Sequence, residues 1–247
     1  MNAIDQGAVT QLSRRGSAAL LLAGIAGFAD AVGFVRLRGL FTAHQSGNSA
    51  HLGVELGRGD WTLALPFVAA VGLFVAGVLL GSVCAEAAVR RSVPRVVALL
   101  AAIEATLLGA FAAYGSTHRP PFYALVALIV VAIGVQAAAV QQVGGATIRT
   151  TYVSGVLTRM GQHAANALLP APRGRPSFLR GIVGLGDRAG SAAHAAYLLA
   201  LWCLYAGGAV LGTVLDGRLR LYAMLVPIGV LALIALEDLR RPLYDVG

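Results

Sequence analysis

The sequence predicts an all-α, polytopic membrane protein. Six transmembrane helices form two inverted repeats of three, each repeat interrupted by a broken or re-entrant polar segment. Three observations carry that prediction. The 247 residues are 57% hydrophobic and only 12% charged, with mean hydropathy +0.76, whereas soluble domains carry about 25% charged residues. Six apolar runs come near the ~20 residues that cross a bilayer. The two halves of the chain also read alike, in the same order.

The runs lie near 18–37, 63–85, 96–114, 122–143, 191–215 and 219–236. In the first, Ser13-Arg14-Arg15 and the small residues of Ala29-Asp30-Ala31 invite comparison with a cleaved leader. The apolar stretch continues past Asp30 through Val32, Phe34, Val35 and Leu37, so a retained span is expected. Residues 40–57 follow, holding two His, a Gln, an Asn, two Ser and a Glu among small and apolar side chains. Such a stretch cannot face lipid, where each unsatisfied polar group costs several kcal/mol; it suits a broken segment packed among helices or lining a wet cavity. Residues 149–162 repeat that character.

The parallels between halves are specific. Asp30 in GFADA answers Gln136 in GVQAA, and HQSGN answers TYVSG. Gly77-x-x-x-Gly81 answers Gly208-x-x-x-Gly212, a spacing that lets helix backbones approach closely in lipid. One integral-membrane domain over 1–247 results, with repeats at about 18–114 and 122–238. Three spans per half place the second copy upside down. The Pro-, Gly- and Arg-rich stretch 169–188 reads as a loop between them.

All 19 basic residues are Arg, and the formal charge of +8 reflects topology rather than nucleic-acid binding. With the N-terminus in the cytoplasm, Arg14, Arg15, Arg90, Arg91, Arg95, Arg149, Arg159, Arg173, Arg175, Arg180, Arg188, Arg240 and Arg241 lie inside. Arg36, Arg38, Arg58, Arg119, Arg218 and Arg220 lie outside. That asymmetry predicts both termini in the cytoplasm of a bacterial inner-membrane protein. Cys84 and Cys203 fall in apolar runs and are expected as buried hydrophobes. No metal or cofactor spacing is present, and none is expected to be used.

Several residues carry candidate chemistry. Asp30 lies mid-span, where an ionisable group is costly unless paired or wet; it either binds a cation or proton or pairs with Arg36 or Arg38. Glu104 is central in its span and either functional or hydrogen-bonded to a hydroxyl. Glu86, Asp216, Glu237 and Asp238 sit at span ends, as solvated caps. His44 and His51 share a helical face, and a polar lining with His44 open to proton exchange suits them better than a metal site with Glu55. Gly47 and Gly155 are expected to break their segments, with Ser46, Asn48, Thr151 and Ser154 supplying neutral hydrogen bonds; close helix packing by small residues is the plainer alternative. Gln136 is the one glutamine deep in its span. Arg149 and Arg159 flank the second segment, either clamping an anion or marking topology.

GFADAVGF, LFTAHQSGN, GVQAAA and TTYVSGVLTR, in that order, resemble the YoaK-like family of bacterial inner-membrane proteins, a domain of unknown function. Its pattern is a G-x-x-DA span, F-x-x-x-x-TGN, a GxQ-type span and TT-x-VTG; here Ser46 and Ser154 stand where Thr is usual. The resemblance implies six spans and directs attention to Asp30, Ser46-Gly47-Asn48, Gln136 and 151–155, but names no substrate.

A non-enzymatic transporter or permease for a small polar solute, with Asp30 or Glu104 coupling it to protons, fits these features best. Its partners are then the lipid bilayer and the solute or proton, with no nucleic acid. A phosphate-binding loop is absent from the sequence, against a primary pump. An intramembrane serine hydrolase would pair Ser46 or Ser154 with a base such as His194, yet neither serine has the G-x-S-G lead. A scaffold or regulator would need larger loops.

Overall fold

The computed structural model describes residues 3–117, 120–139, 141–143, 146–148, 153–169 and 188–243. They form eight α-helices and one small hairpin: α1 (Ala3–Arg36), α2 (Gln45–Gly57), α3 (Trp61–Arg90), α4 (Val96–Gly115), α5 (Phe122–Ala138), β1 (Gln141–Val143), β2 (Ala146–Ile148), α6 (Val153–Leu168), α7 (Arg188–Leu219) and α8 (Leu225–Arg240). A 3-10 turn, Arg220–Met224, joins α7 to α8. Among the described residues, four helical stretches are long and apolar enough to cross a membrane. They are Arg14–Arg36, Trp61–Arg90, Val96–Gly115 and Gly190–Arg240; Phe122–Ala138 is a shorter apolar helix.

The last stretch has 51 residues, twice what a bilayer needs, and it reverses on itself. Arg220 takes a positive φ of 54° at the turn. Asp216, before the turn, pairs with Arg36 at the end of α1; Glu237, after it, pairs with Arg14 near the beginning. Thus α7 runs with α1 and α8 runs against it. One expected boundary moves. The fourth run ends as helix at Ala138, and Gln141–Val143 pairs antiparallel with Ala146–Ile148 instead of continuing the span to 143. Cys203, expected to be buried, is exposed.

Two close helix crossings organise the bundle. In the first, α1 packs parallel to α7, and a Cβ added at Gly27 or Gly208 would collide with the Tyr205 or Gly24 carbonyl. In the second, α3 packs parallel to α5; a Cβ at Gly77 would sit 2.5 Å from the Val131 carbonyl, and one at Gly134 2.5 Å from that of Phe74. Bare Cα surfaces there let two backbones approach to a distance that any side chain would prevent. Both Gly-x-x-x-Gly pairs noted above are used this way. Each crossing joins a helix from the first half of the chain to one from the second.

The remaining contacts are side-chain mediated. α4 packs antiparallel on α8, with Asp238 accepting the Ala98 N–H at 2.8 Å and the Leu243 N–H at 2.7 Å. Arg95 opens α4 without a side-chain cap, so Asp238 supplies from another helix the acceptor that an N-cap normally provides. Asp238 and Asp216 are both buried and are not the solvated caps expected of them. Glu86 and Glu237 do pair at the surface, with Arg90 and Arg14. The larger apolar core runs through α1, α4, α5 and α8, with Phe28, Leu108, Phe111, Ile129, Ile133 and Leu231 fully or nearly buried, and a smaller one joins Ala19, Ala23, Val156, Leu198 and Leu201 of α1, α6 and α7.

Candidate functional site

The site forms where the chain leaves α1. Arg38 and Gly39 both take positive φ, 58° and 84°, and turn the chain back beside the helix it has just left. Leu37 and Leu40 bury their side chains under this loop. Asn48, fully buried one turn into α2, fastens it: its Oδ1 accepts the Phe41 N–H at 3.0 Å. Its Nδ2 donates to the Phe41 carbonyl at 2.7 Å and to Gln45 Oε1 at 3.0 Å. The turn therefore falls at Arg38–Gly39. Gly47, expected to break the segment, lies inside a continuous helix, where its missing Cβ leaves room for the Phe41 ring.

Asp30, six residues before the end of α1, is the anchor for the returning loop. Oδ1 accepts the Thr42 N–H at 2.6 Å, the Ala43 N–H at 2.7 Å and the Thr42 hydroxyl at 3.2 Å. Oδ2 lies 2.6 Å from His44 Nδ1 and accepts the Tyr205 hydroxyl at 2.5 Å. The Tyr205 oxygen is 2.9 Å from the same His44 nitrogen, closing a triangle. Five donors meet a carboxylate that offers about four lone-pair sites, so its acceptor capacity is filled. Neither Arg36 nor Arg38 is a partner. Arg36 pairs with Asp216, Nε to Oδ2 at 2.9 Å, and Arg38 lies over the Phe122 ring at 4.9 Å. His44 is 30% exposed by its side chain, against 4% for Asp30.

The described part of the second polar segment begins near Tyr205. Val153 and Val156, in the first turn of α6, line a gap of about 10 Å3 together with Tyr205, Trp202, Leu201 and Ala23. From there α6 runs against α7, with Asn166 donating to the Ser191 hydroxyl at 2.6 Å and His163 stacked on His194 at 5.1 Å. α2 runs against α3, and His51 stacks on Phe67 at 5.1 Å. Because α3 and α7 point in opposite directions, α2 and α6 diverge oppositely from Tyr205. Gly155 is buried and, like Gly47, sits within an unbroken helix, contrary to expectation.

The remaining candidates are dispersed. Ser46 and Ser154 are exposed. Thr151 and Arg149 lie outside the described residues. His194 directs Nδ1 to the Gly190 carbonyl at 2.8 Å, and no hydrogen bond joins it to either serine among the described residues. Gln136 is buried and donates to the Leu22 carbonyl at 2.6 Å, tying α5 to α1. Glu104 is buried on the core face of α4 with Ala101 and Leu108, and its Oε1 has no hydrogen-bond partner. Outside the candidate spans, burial and the neighbouring His194 and Arg159 charges lower the pKa of His163 below its ordinary 6.5. No group of three His, Cys, Asp or Glu among the described residues could hold a metal.

Tyr205 is what the sequence reading missed. Its hydroxyl, set in an otherwise apolar run, is the signal: a buried phenol takes a partner.

Comparison with known proteins follows the same limits. The family model described as "Protein of unknown function (DUF1275)" matches residues 18–236. The chain is 28% identical over 177 residues to the UPF0700 transmembrane protein YoaK of Bacillus subtilis (strain 168), covering 71% of this chain and 78% of that protein. No solved structure matches.

Proposed function

For a chain that belongs to this DUF1275 family of proteins of unknown function, we propose a membrane transporter for a small polar solute. Six spans in two inverted halves would carry it, with both termini in the cytoplasm of a bacterial inner membrane. The observation behind this reading is that Tyr205 bonds His44, at the entry to α2, and lines a small gap with the first turn of α6, beside a buried polar cluster. Inverted halves with interrupted segments near mid-membrane are the architecture of many secondary transporters. The paired crossings, α1 with α7 and α3 with α5, are what an exchange of equivalent helices between two copies produces.

In this reading Asp30, Tyr205 and His44 form a latch over the solute path. The carboxylate holds the loop by two backbone N–H groups, and the imidazole edge meets the solute. The proton-linked step belongs to Glu104, whose carboxyl has no competing structural partner on Oε1. The role is binding and passage, not bond cleavage.

Thermal unfolding of the detergent-purified protein against a panel of amino acids, sugars and small carboxylates tests this. A solute-dependent rise in Tm that His44→Ala and Asp30→Asn abolish, and that Ser46→Ala with Ser154→Ala only weakens, is expected. No shift across the panel, or a shift untouched by His44→Ala, would refute it.

A further inference from the structure

A second cleft lies far from Tyr205. It has a volume of about 300 Å3 and opens between α1 and α8 at the Arg14 end of the bundle. Leu21, Leu233, Ile234 and Leu243 form its walls, with Arg14 and Glu237 at its mouth. Leu21 is 45% and Leu233 64% exposed, so the apolar part opens sideways, towards the bilayer. A chain-sized apolar cleft open to lipid is filled by an acyl chain.

The mouth specifies the headgroup. Arginines converge there on the last turn of α8. Arg14 Nε donates to Glu237 Oε1 at 2.9 Å and Nη2 to the Arg241 carbonyl at 2.6 Å. Arg15 donates to the Leu243 carbonyl at 2.5 Å, and Arg95 to that of Leu239 at 3.1 Å. Arg240 and Arg241 are exposed at the same turn and make no ion pair among the described residues. Among the described residues, one exposed carboxylate at this turn, Glu237, stands against these five cations, because Asp238 is buried and bound to two backbone N–H groups. Topology alone asks for positive charge on that side but not for its concentration at the mouth of an apolar cleft. Guanidinium groups bind phosphate oxygens in pairs and favour anionic over zwitterionic headgroups.

We propose that this cleft is a binding site for an anionic phospholipid, with one acyl chain between Leu21 and Leu233 and the phosphate at Arg240 and Arg241. The site fastens the two chain ends to each other from outside, since it spans the Arg14–Glu237 pair.

Native mass spectrometry of the delipidated full-length protein, titrated with phosphatidylglycerol or phosphatidylcholine of identical chains, tests the proposal. Phosphatidylglycerol is expected to bind in preference. Arg240→Gln with Arg241→Gln is expected to weaken it roughly 30-fold, at about 1 kcal/mol for each arginine near a membrane surface. Leu233→Trp, at an exposed position, is expected to weaken both lipids while the Tm of the lipid-free protein stays unchanged. Equal binding of both lipids would overturn the headgroup assignment. Glycerol 3-phosphate competing as well as the whole lipid would overturn the acyl site in favour of a surface anion. Full phosphatidylglycerol binding by the arginine variant would sink the proposal.

Discussion

Asp30 and Glu104 are both carboxyl groups buried in helices of membrane-spanning character, yet their surroundings are opposite. Asp30 accepts from two backbone N–H groups, two hydroxyls and an imidazole. Glu104 sits among Ala101 and Leu108 with nothing donating to Oε1. The contrast teaches that depth alone does not assign a role to an intramembrane acid. A carboxylate whose lone pairs are filled by the chain's own donors holds structure, whereas one without donors contributes little to structure and is available for chemistry.

Removing Asp30 tests the contrast hardest. Asp30→Ala strands the Thr42 and Ala43 N–H groups and is expected to cost about 3–5 kcal/mol, read as lost stability in detergent unfolding. A loss under 1 kcal/mol would mean that the loop does not depend on its anchor. Tyr205→Phe deletes one hydrogen bond to the carboxylate and leaves His44 in place; about 1.5–3 kcal/mol is expected from the same measurement. If the proposed solute path is correct, it should also disturb solute binding, since Tyr205 bonds His44 and lines the gap at the first turn of α6.

Glu104 should behave in the other way. Glu104→Gln and Glu104→Leu are expected to stay within about 1 kcal/mol of the parent, while the pH dependence of solute binding disappears. A loss above about 2 kcal/mol for Leu would reveal a structural partner and erase the difference between the two acids.

The smallest effect concerns His163, outside the candidate spans. Its pKa is lower in the folded protein than the ordinary 6.5, so the unfolded chain binds more protons between the two values. Stability should therefore fall as the pH drops below about 6.5. His163→Gln should flatten that part of the Tm-versus-pH curve, and an unchanged slope would show that the ring does not titrate with folding.

How far the sequence could be read depended on distance along the chain. Hydropathy marked the membrane class, whereas the sequence offered Asp30 a cation, a proton or Arg36 and Arg38 and did not foresee that the loop returning within 12 residues would supply its partners. The Gly-x-x-x-Gly pairs identified packing faces but not the helices that meet them. Arg36 with Asp216 and Ala98 with Asp238 are separated by 180 and 140 residues, and no local pattern records such partners. The turn was misplaced at Gly47 because glycine advertises a positive φ, whereas Arg38, which also adopts one, does not. Tyr205 escaped for a related reason: one phenol in an apolar run gains meaning only from what folds against it.

The glycine crossings have a consequence for how the molecule comes into being. α1 waits for α7, and α3 for α5, so each closest seam is sewn between early and late parts of the polypeptide. Neither portion alone owns a complete seam. Severed at residues 118–119, the two fragments would have to be made together to find their shape, and the ribosome must deliver nearly the whole chain before α1 meets its companion.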